Sequence, residues 1–361
     1  MLNFARCQAK AGHQVAIFGI SAKAPIPIDG VNVQHFREGC YPFAAPRSLC
    51  EALESLHPDI VHFHSSYVPV HVTLASFLRC GGIPYAVTPN GGCAPQILKR
   101  GRLVKLPYKH FFELPFLNGA AFVHSVGDTE DIRAYGVTAP IVLAPNGFSP
   151  EEIKASERPA EDPVRSGRPG WENRVVFLYL GRLDAGQKGL DLLLKGFAQA
   201  LSQRPQCGLV LVGPDWRGNQ AKLQSLCREL GVDDAVVFTG PVRGPSKYGY
   251  LTAADFFVHP SRWEGMPFAV SEALACGKPC LVTRASDPCG LVARYGAGIV
   301  TSPTIQGVAS ALVAMADLTP DQRSAMSAQA RELVSVELDW HKISSTLTQA
   351  YEKYAVRKDR R

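Results

Sequence analysis

Two cations stand close together on one predicted loop near the middle of the chain. Arg182 follows Gly181 directly after the apolar run Val175–Leu180, and Lys188 lies six residues further on, before a helical pattern. Arginine offers a planar, permanently charged fork that suits phosphate oxygens, and lysine adds a point charge. This spacing predicts a clamp for a diphosphate. A solvated turn whose charges bind nothing is the alternative.

Two glutamates flank a predicted helix start further along the chain. Glu264 stands just before Pro267, and Glu272 lies inside the helix that follows. We place Pro267 at the first helical position, where its missing N–H costs nothing. Amides at a helix start have no partner in the helix and can bind hydroxyls or an anion, and carboxylates accept hydrogen bonds from paired hydroxyls of sugars and ribose. The alternative is a helix with one glutamate that compensates its dipole and one on its surface.

Short apolar runs and longer helical patterns alternate along the chain and must position these residues. Runs that are apolar throughout indicate strands buried on both faces, and their alternation with helices indicates parallel sheets. The sequence therefore predicts an α/β protein whose ligands bind beyond the carboxyl ends of the strands. The predicted strands are Val15–Ile20, Ile60–His64, Tyr85–Thr88, Ala121–Val126, Ile141–Ala144, Val175–Leu180, Gly208–Val212, Val236–Thr239, Asp255–His259, Pro279–Val282 and Ile299–Val300.

The length of the chain and one break in its pattern predict two domains. A chain of 361 residues is too long for one ordinary core. Residues 149–172 are rich in Pro, Glu, Ser, Arg and Gly, which indicates a surface linker between an N-terminal domain, 1–148, and a C-terminal domain, 173–336. In the final segment, 337–361, apolar residues at helical spacing predict a helix from about Asp339 to Lys358. We expect this helix to pack on the N-terminal domain.

Composition and charge exclude several classes of protein. Hydrophobic residues make up 46% of the chain and charged residues 19%, which is typical of a soluble globular protein. The net charge of +6 is too mild to indicate nucleic-acid binding, but it suits anionic ligands or an anionic membrane surface. The ten cysteines occur without metal-ligand spacing, which favours free thiols in a reducing cytoplasm over disulfides.

The two charged segments resemble the donor-site signatures of glycosyltransferase family 4. The second is similar to the paired-glutamate motif of that family, and weaker likenesses lie at 58–64, 88–91 and 145–147. The resemblance runs from about Gly12 to about Tyr351. It implies a GT-B architecture, in which two Rossmann-like domains face each other across a cleft and the C-terminal domain holds a nucleotide sugar. It also implies that the transfer retains the anomeric configuration.

The resemblance also implies roles for particular side chains. Arg182 and Lys188 would bind the diphosphate, and Glu264 with the adjoining amides would hold the transferred sugar; these three are the expected catalytic residues. Glu272 would bind the ribose hydroxyls, and Val242 would meet the base through its backbone. The other expected donor-binding residues are Gly181, Gly265, Met266, Pro267 and Phe268.

Two departures from the family pattern lie in the N-terminal half. Asn90 stands where the family usually has a histidine, and asparagine can hydrogen-bond a hydroxyl but cannot carry a proton. His64, at the end of a predicted strand, is the other candidate for the acceptor or sugar side. The chain opens in a helical stretch, Phe4–Ala11, so we expect the first strand and Gly-rich loop of the family to be missing. This indicates either a recorded start downstream of the true one or a truncated relative.

The predicted function is that of a hexosyltransferase that needs neither metal nor cofactor. It would move a sugar from a UDP-, GDP- or ADP-sugar to a saccharide or lipid-linked acceptor in polysaccharide or glycolipid synthesis, and the base, sugar and acceptor stay open. A pseudoenzyme that only binds nucleotide sugars and a nucleotide-sugar epimerase are the alternatives. Basic and apolar residues at 99–110 suit an anionic membrane surface, so we expect a cytoplasmic protein able to bind the inner face of the membrane. A solvated helix face is the alternative for that segment.

Overall fold

The chain folds into two compact units, each an α/β structure. The computed structural model describes residues 2–20, 27–37, 42–99, 101–127, 130–149, 153, 161–242, 244 and 246–355. The first unit contains the described residues up to Gly147 and those from Trp340 onward. The second unit runs from Phe148 to Asp339.

The first unit contains two parallel sheets. β1 (Val15–Ile20) pairs with β2 (Val31–Phe36), and a four-stranded sheet has the order β3-β4-β5-β6. The strands of the larger sheet are β3 (Val61–His64), β4 (Tyr85–Thr88), β5 (Phe122–Ser125) and β6 (Ile141–Leu143). A π-helical turn at Lys109–Glu113 separates the fifth and sixth helices. The helices are α1 (Leu2–Lys10), α2 (Arg47–Leu56), α3 (Pro69–Cys80), α4 (Pro95–Lys99), α5 (Arg102–Tyr108), α6 (Leu114–Asn118) and α7 (Glu130–Tyr135).

The second unit contains a six-stranded parallel sheet with helices on both faces. Its strands are β7 (Val175–Leu180), β8 (Cys207–Val212), β9 (Val236–Gly240), β10 (Phe256–His259), β11 (Cys280–Thr283) and β12 (Gly298–Thr301), in the order β12-β11-β10-β7-β8-β9. Its helices are α8 (Leu190–Gln203), α9 (Asn219–Leu230), α10 (Ser246–Ala253), α11 (Phe268–Ala275), α12 (Leu291–Tyr295), α13 (Ile305–Ala316) and α14 (Pro320–Glu337). Leu178 packs in one core and Phe177 in the other, so both faces are covered. This double burial explains why the strands are apolar throughout.

The predicted α/β class with parallel sheets is confirmed, and one described strand was missed. Each of the eleven predicted runs contains or overlaps an observed strand. The missed strand, β2, reads Val-Asn-Val-Gln-His-Phe and is only partly buried. Because polar residues interrupt its apolar ones, it did not stand out as a buried run.

The predicted linker at 149–172 is corrected by the structure. Residues 150–152 and 154–160 lie outside the described residues, but 161–172 belong to the second unit. Val164 and Trp171 are buried in its core, and Arg165 forms an ion pair of 2.6 Å with Asp255. The polar composition concealed the few apolar side chains that fasten this segment to the sheet.

The C-terminal helix α15 (Trp340–Tyr354) packs on the first unit. Its apolar face, which includes Ile343 and Leu347, shares a cluster with Phe122 of β5. A hydrogen bond of 2.6 Å joins the hydroxyl of Tyr351 to the ring of His62 in β3. The helix is shorter than the predicted 339–358, and residues 356–361 lie outside the described part of the chain. None of the helices that the structure describes has both the length and the hydrophobicity required to cross a bilayer.

Replacement of Leu347 by alanine tests this packing. Leu347 is 2% exposed, and removing such a side chain typically costs about 2–5 kcal/mol of unfolding free energy. We expect Leu347→Ala to lower the unfolding midpoint in urea, measured by circular dichroism. Ser345→Ala, at an exposed position of the same helix, is the control and should change it little. Equal midpoints for the two variants would show that α15 contributes little to the stability of the first unit.

Candidate functional site

The candidate site lies at the carboxyl edge of the sheet in the second unit. β8 and β9 lie on one side of β7, and β10, β11 and β12 lie on the other. The direction of strand addition therefore reverses between β7 and β10, which leaves a crevice at their carboxyl ends. The loop after β7, 181–189, and the loop after β10, 260–267, both begin there. The fold thus brings the two charged segments of the sequence to one place.

The loop after β7 depends on two glycines. Gly189 has a φ of 66°, and a Cβ there would overlap the carbonyl oxygen of Pro260. Gly181 has a φ of 155°, and a Cβ there would lie 2.8 Å from the hydroxyl of Tyr179. Between them the Asp184 carboxylate accepts hydrogen bonds of 3.0 Å from two amides of the loop. The loop after β7 is therefore packed tightly against the loop after β10 by contacts of the chain itself.

Arg262 fastens the two loops together. Its guanidinium donates to both carboxylate oxygens of Asp191, at 2.7 and 2.8 Å, and to the carbonyl oxygen of Gly186 at 2.8 Å. Its amide donates to the carbonyl oxygen of Gln187 at 2.8 Å. Two-point arginine–carboxylate pairs fix geometry as well as charge. Arg262 lies inside the segment that the sequence analysis singled out, but only the fold shows that it holds the loops together.

Glu264 is the most enclosed acid of the site, with a side chain that is 9% exposed. One of its carboxylate oxygens accepts from the Lys188 ammonium, from the Ser261 hydroxyl at 2.7 Å and from the His259 ring at 3.3 Å. Burial acts to raise the pKa of Glu264, but the hydrogen bond from His259 and the hydrogen bond and charge of Lys188 outweigh it and lower the pKa to about 2. Burial lowers the pKa of His259, so its ring is neutral at pH 7. Lys188 is therefore the charge that keeps Glu264 ionised.

Glu272 has a different partner from Glu264. Lys247, in α10, donates a hydrogen bond of 2.7 Å to its carboxylate. The helix that carries Glu272 begins at Phe268, and Pro267 precedes it in an extended conformation. The prediction that Pro267 is the first helical residue is therefore wrong by one position. Pro267 is instead the N-cap, because its carbonyl oxygen accepts the first hydrogen bond of the helix, from the amide of Val270 at 3.1 Å. Lys247 was not singled out from the sequence.

The remaining donor-side residues lie around this centre. The guanidinium of Arg182 lies 4.2 Å from the ring centroid of Trp216, in the loop after β8, and donates to the side chain of Gln187 at 3.3 Å. Met266 and Val242 are partly buried against the core of the second unit. Trp216 was missed, although its place just after a strand end is a signal that could have found it.

The structure therefore brings two of the four main candidates into direct contact. Lys188 and Glu264 form an ion pair, whereas Arg182 and Glu272 contact other partners in the same unit. Within the described ranges, no three His, Cys, Asp or Glu side chains are grouped so that they could hold a metal ion.

Asn90 and His64 lie at the carboxyl ends of neighbouring strands in the first unit. His64 is in register with Thr88, and Asn90, which is exposed, has a left-handed φ of 50°. Ser65 and Tyr67, at the same edge, have φ values of 86° and 57°. Such angles strain residues other than glycine, and this strain is concentrated at functional sites. Burial lowers the pKa of His64 to about 3, so its ring is neutral at pH 7.

A buried carboxyl group supports this strained turn. Glu113, in the π-helical turn, accepts a hydrogen bond of 3.2 Å from the amide of Tyr67 through Oε2. Its Oε1 has no hydrogen-bond partner among the described residues. Burial raises the pKa of Glu113 to about 7. The sequence analysis missed Glu113, because only the fold shows that a glutamate in a basic helical segment is buried.

Family models match both halves of the chain. Residues 1–152 match the model described as Glycosyltransferase Family 4, and residues 165–333 match the model described as Glycosyl transferases group 1. These ranges include all the candidate residues named above for the donor side and the acceptor side.

The chain is similar to individual known proteins over different shares of its length. The chain is 34% identical to mannosylfructose-phosphate synthase of Agrobacterium fabrum over 42% of its own length and 34% of that protein. It is 29% identical to phosphatidyl-myo-inositol mannosyltransferase of Mycolicibacterium smegmatis over 98% of the chain and 88% of that protein. The matches with the first three curated relatives span 34%, 33% and 43% of their lengths.

The solved structures establish the fold. The Anabaena protein HepE in complex with UDP and glucose aligns with a TM-score of 0.73 and 19% identity, over 98% of this chain and 95% of that one. At this identity the likeness shows the fold alone, which is the GT-B fold of two Rossmann-like domains.

Replacement of Glu113 by glutamine tests the burial of its carboxyl group. A carboxyl whose pKa rises from 4.5 unfolded to about 7 folded keeps its proton only in the folded state between these pH values. Its contribution to stability is therefore lost as the pH rises through this window. Since one pKa unit corresponds to about 1.4 kcal/mol, the loss is about 3 kcal/mol at most.

We expect Glu113→Gln to gain stability relative to the wild type as the pH rises from 5 to 8, because the amide does not ionise. Urea unfolding of both proteins at the two pH values measures this difference, and the other titrating groups cancel in the comparison. A difference between the two proteins that is the same at pH 5 and pH 8 would contradict the assignment.

Proposed function

We propose that this chain, which belongs to glycosyltransferase family 4, transfers a sugar from a nucleotide-diphosphate donor to a saccharide or lipid-linked acceptor with retention of configuration. The buried contact between Lys188 and Glu264 is the observation that carries the proposal. It places a cation suited to phosphate beside an acid suited to sugar hydroxyls, at the crevice where α/β sheets bind ligands.

The chemical role of Arg182 and Lys188 is electrostatic. When the bond to the sugar breaks, the nucleotide diphosphate leaves with additional negative charge and the sugar becomes oxocarbenium-like. Fixed cations aimed at the departing phosphate stabilise this transition state more than the ground state. Lys188 would exchange part of its contact with Glu264 for the phosphate as the donor binds. Arg182, stacked on Trp216, keeps donor groups available for phosphate oxygens.

Glu264 would hold the transferred sugar through hydrogen bonds from its hydroxyls, together with the amides of Gly265, Met266 and Phe268. Its low pKa makes it a weak base, which fits hydrogen bonding better than proton abstraction. Retention then follows a front-face route, in which the acceptor attacks on the side from which the diphosphate departs, without a covalent intermediate. Glu272 would accept from the ribose hydroxyls.

The remaining assignments concern the base, the acceptor and cofactors. The backbone at Val242 would meet the base, and UDP-, GDP- and ADP-sugars are the candidate donors. Asn90 and His64 would lie on the acceptor or sugar side, where the strained edge of the first unit supplies polar groups. Because the cations of the chain can neutralise the leaving group, neither a metal ion nor a cofactor is required.

The acceptor proposal includes contact with a membrane on the cytoplasmic side. Leu103 and Val104 in α5 are 91% and 75% exposed, and Phe111 in the π-helical turn is 74% exposed. An exposed apolar group of this kind beside basic residues is typical of surfaces that bind membranes. Lys105 and Lys109 lie over aromatic rings of their own unit, at 5.6 and 4.2 Å, so the apolar side chains would contribute most of the contact. Arg100 lies outside the described residues.

Replacement of Lys188 tests the leaving-group role. Removing one donor of this kind raises the barrier by about 2.7–4 kcal/mol, so we expect Lys188→Ala to lower kcat about 100- to 1000-fold. Glu264→Ala, which removes the expected contact with the sugar, should abolish transfer. The measurement is release of the nucleoside diphosphate and formation of the glycosylated acceptor in a screen of donors and acceptors. Lys195→Ala, an exposed lysine of α8, is the control and should retain activity.

The same assay separates the alternatives. An epimerase converts the donor without an acceptor, and a pseudoenzyme binds the donor without product. Full activity of folded Lys188→Ala or Glu264→Ala would refute the assigned roles.

Replacement of Leu103 and Val104 by serine tests the membrane contact. Burying each of these side chains contributes about 1.5–3 kcal/mol, so the double variant should bind vesicles at least about tenfold more weakly. Co-sedimentation with phosphatidylcholine vesicles, with and without phosphatidylglycerol, measures the bound fraction. Val336→Ser, at an exposed apolar position of the second unit, is the control. Equal binding by the wild type, the double variant and Val336→Ser would show that Leu103 and Val104 do not form a membrane-binding surface.

A further inference from the structure

One indole ring in the second unit lies beside two guanidinium groups. The Cζ atom of Arg182 lies 4.2 Å from the ring centroid of Trp216, and that of Arg217 lies 5.3 Å from it. Both distances are within the range of cation–π attraction. Among the described residues, neither guanidinium has a carboxylate partner, whereas Arg165, Arg204 and Arg262 each have one. Two uncompensated positive charges on one ring favour an anion nearby.

The loop that carries Trp216 is fixed to the loop that carries Arg182. The amide of Leu183 donates to the carbonyl oxygen of Pro214 at 2.9 Å. The Asp215 carboxylate accepts from the amides of Gly218 and Gln220, at 2.9 and 2.8 Å. These bonds join the loops after β7 and β8 and cap the start of α9. The position of the Trp216 indole relative to the loop after β7 is therefore fixed by the fold.

The backbone at Arg217 is strained. Its φ of 57° is left-handed, a conformation that residues other than glycine rarely adopt. Asp215 precedes Arg217 and accepts from the amides of Gly218 and Gln220, which follow it, so these bonds span the turn and hold it in this shape. Arg217 itself is exposed, so its side chain is free to meet a solute. Such strain occurs more often at functional sites than elsewhere, and here it lies beside the candidate site.

We propose that Arg217 is a third cation of the diphosphate clamp and that Trp216 is its positioning residue. The clamp then draws on two neighbouring loops, with Arg182 and Lys188 on one and Arg217 on the other. Its ligand is the diphosphate portion of the donor and of the nucleotide product. This inference rests on the proposed function, but it concerns residues outside the two segments that the sequence singled out.

Nucleotide binding by the purified full chain tests the proposal without an acceptor. Isothermal titration with UDP, GDP and ADP, and with the three monophosphates, identifies the nucleotide that the wild type prefers. A charged hydrogen bond contributes enough that Arg217→Ala should weaken binding of that diphosphate about tenfold. The monophosphate of the same base should lose less, because it lacks the second phosphate.

Arg228→Ala is the matched control for charge. It removes one exposed arginine from α9 in the same unit and should leave diphosphate affinity within about twofold. Equal losses for the two arginine variants, or equal losses for the diphosphate and the monophosphate, would overturn the role of Arg217. A wild type that binds no nucleotide would instead count against the proposed function itself.

Two variants of Trp216 test whether its ring positions Arg217. Trp216→Phe keeps an aromatic face and should retain most of the diphosphate affinity, whereas Trp216→Ala should lose about as much as Arg217→Ala. Melting temperatures identify any variant that is unfolded. If Trp216→Ala is unfolded, Trp216→Phe and Arg217→Ala, at an exposed position, still test whether these two residues contribute to diphosphate binding. Wild-type affinity in folded Trp216→Ala would overturn the positioning role.

Discussion

The ion pair between Lys188 and Glu264 is the constraint on which the second unit's candidate site depends. Removing two charges from water costs several kcal/mol for each ion, and only close geometry with further hydrogen bonds offsets the cost. Ser261 and His259 supply those bonds to the carboxylate. Because the partners come from different loops, both loops must keep their conformations for the pair to form. Under the proposed function, a phosphate would take the place of Glu264 beside Lys188, and Glu264 would keep its hydrogen bonds from Ser261 and His259.

Much of the surrounding structure serves to keep these two loops in place. Gly189 allows the backbone to pass against Pro260, where any side chain would overlap the carbonyl oxygen. Arg262 then joins the loops through Asp191 and two backbone contacts. A rigid site of this kind needs little reorganisation when charge develops during a reaction, which is the condition for effective electrostatic catalysis.

The first unit presents a different kind of edge. At the ends of β3 and β4 the structure has strained backbone at Ser65, Tyr67 and Asn90, supported by the buried carboxyl of Glu113. This edge offers polar backbone groups, whereas the loops of the second unit offer the charged side chains of Arg182, Lys188 and Glu264. Under the proposed function, the second unit would recognise the diphosphate and the first unit the acceptor.

The sequence by itself determined all but one of the described strands, the parallel α/β class and the two segments that carry the charged residues, because buried runs, turn glycines and charge spacing are local properties. It did not determine which charges meet. Lys188 contacts Glu264 across 76 residues and Lys247 contacts Glu272 across 25, and Trp216 reaches Arg182 from another strand end. Those contacts follow from the order of strands in the sheet. The tertiary structure also decided that Val164 and Trp171 are core residues and that Glu113 is buried, because burial depends on what packs against a side chain and not on the residue type alone.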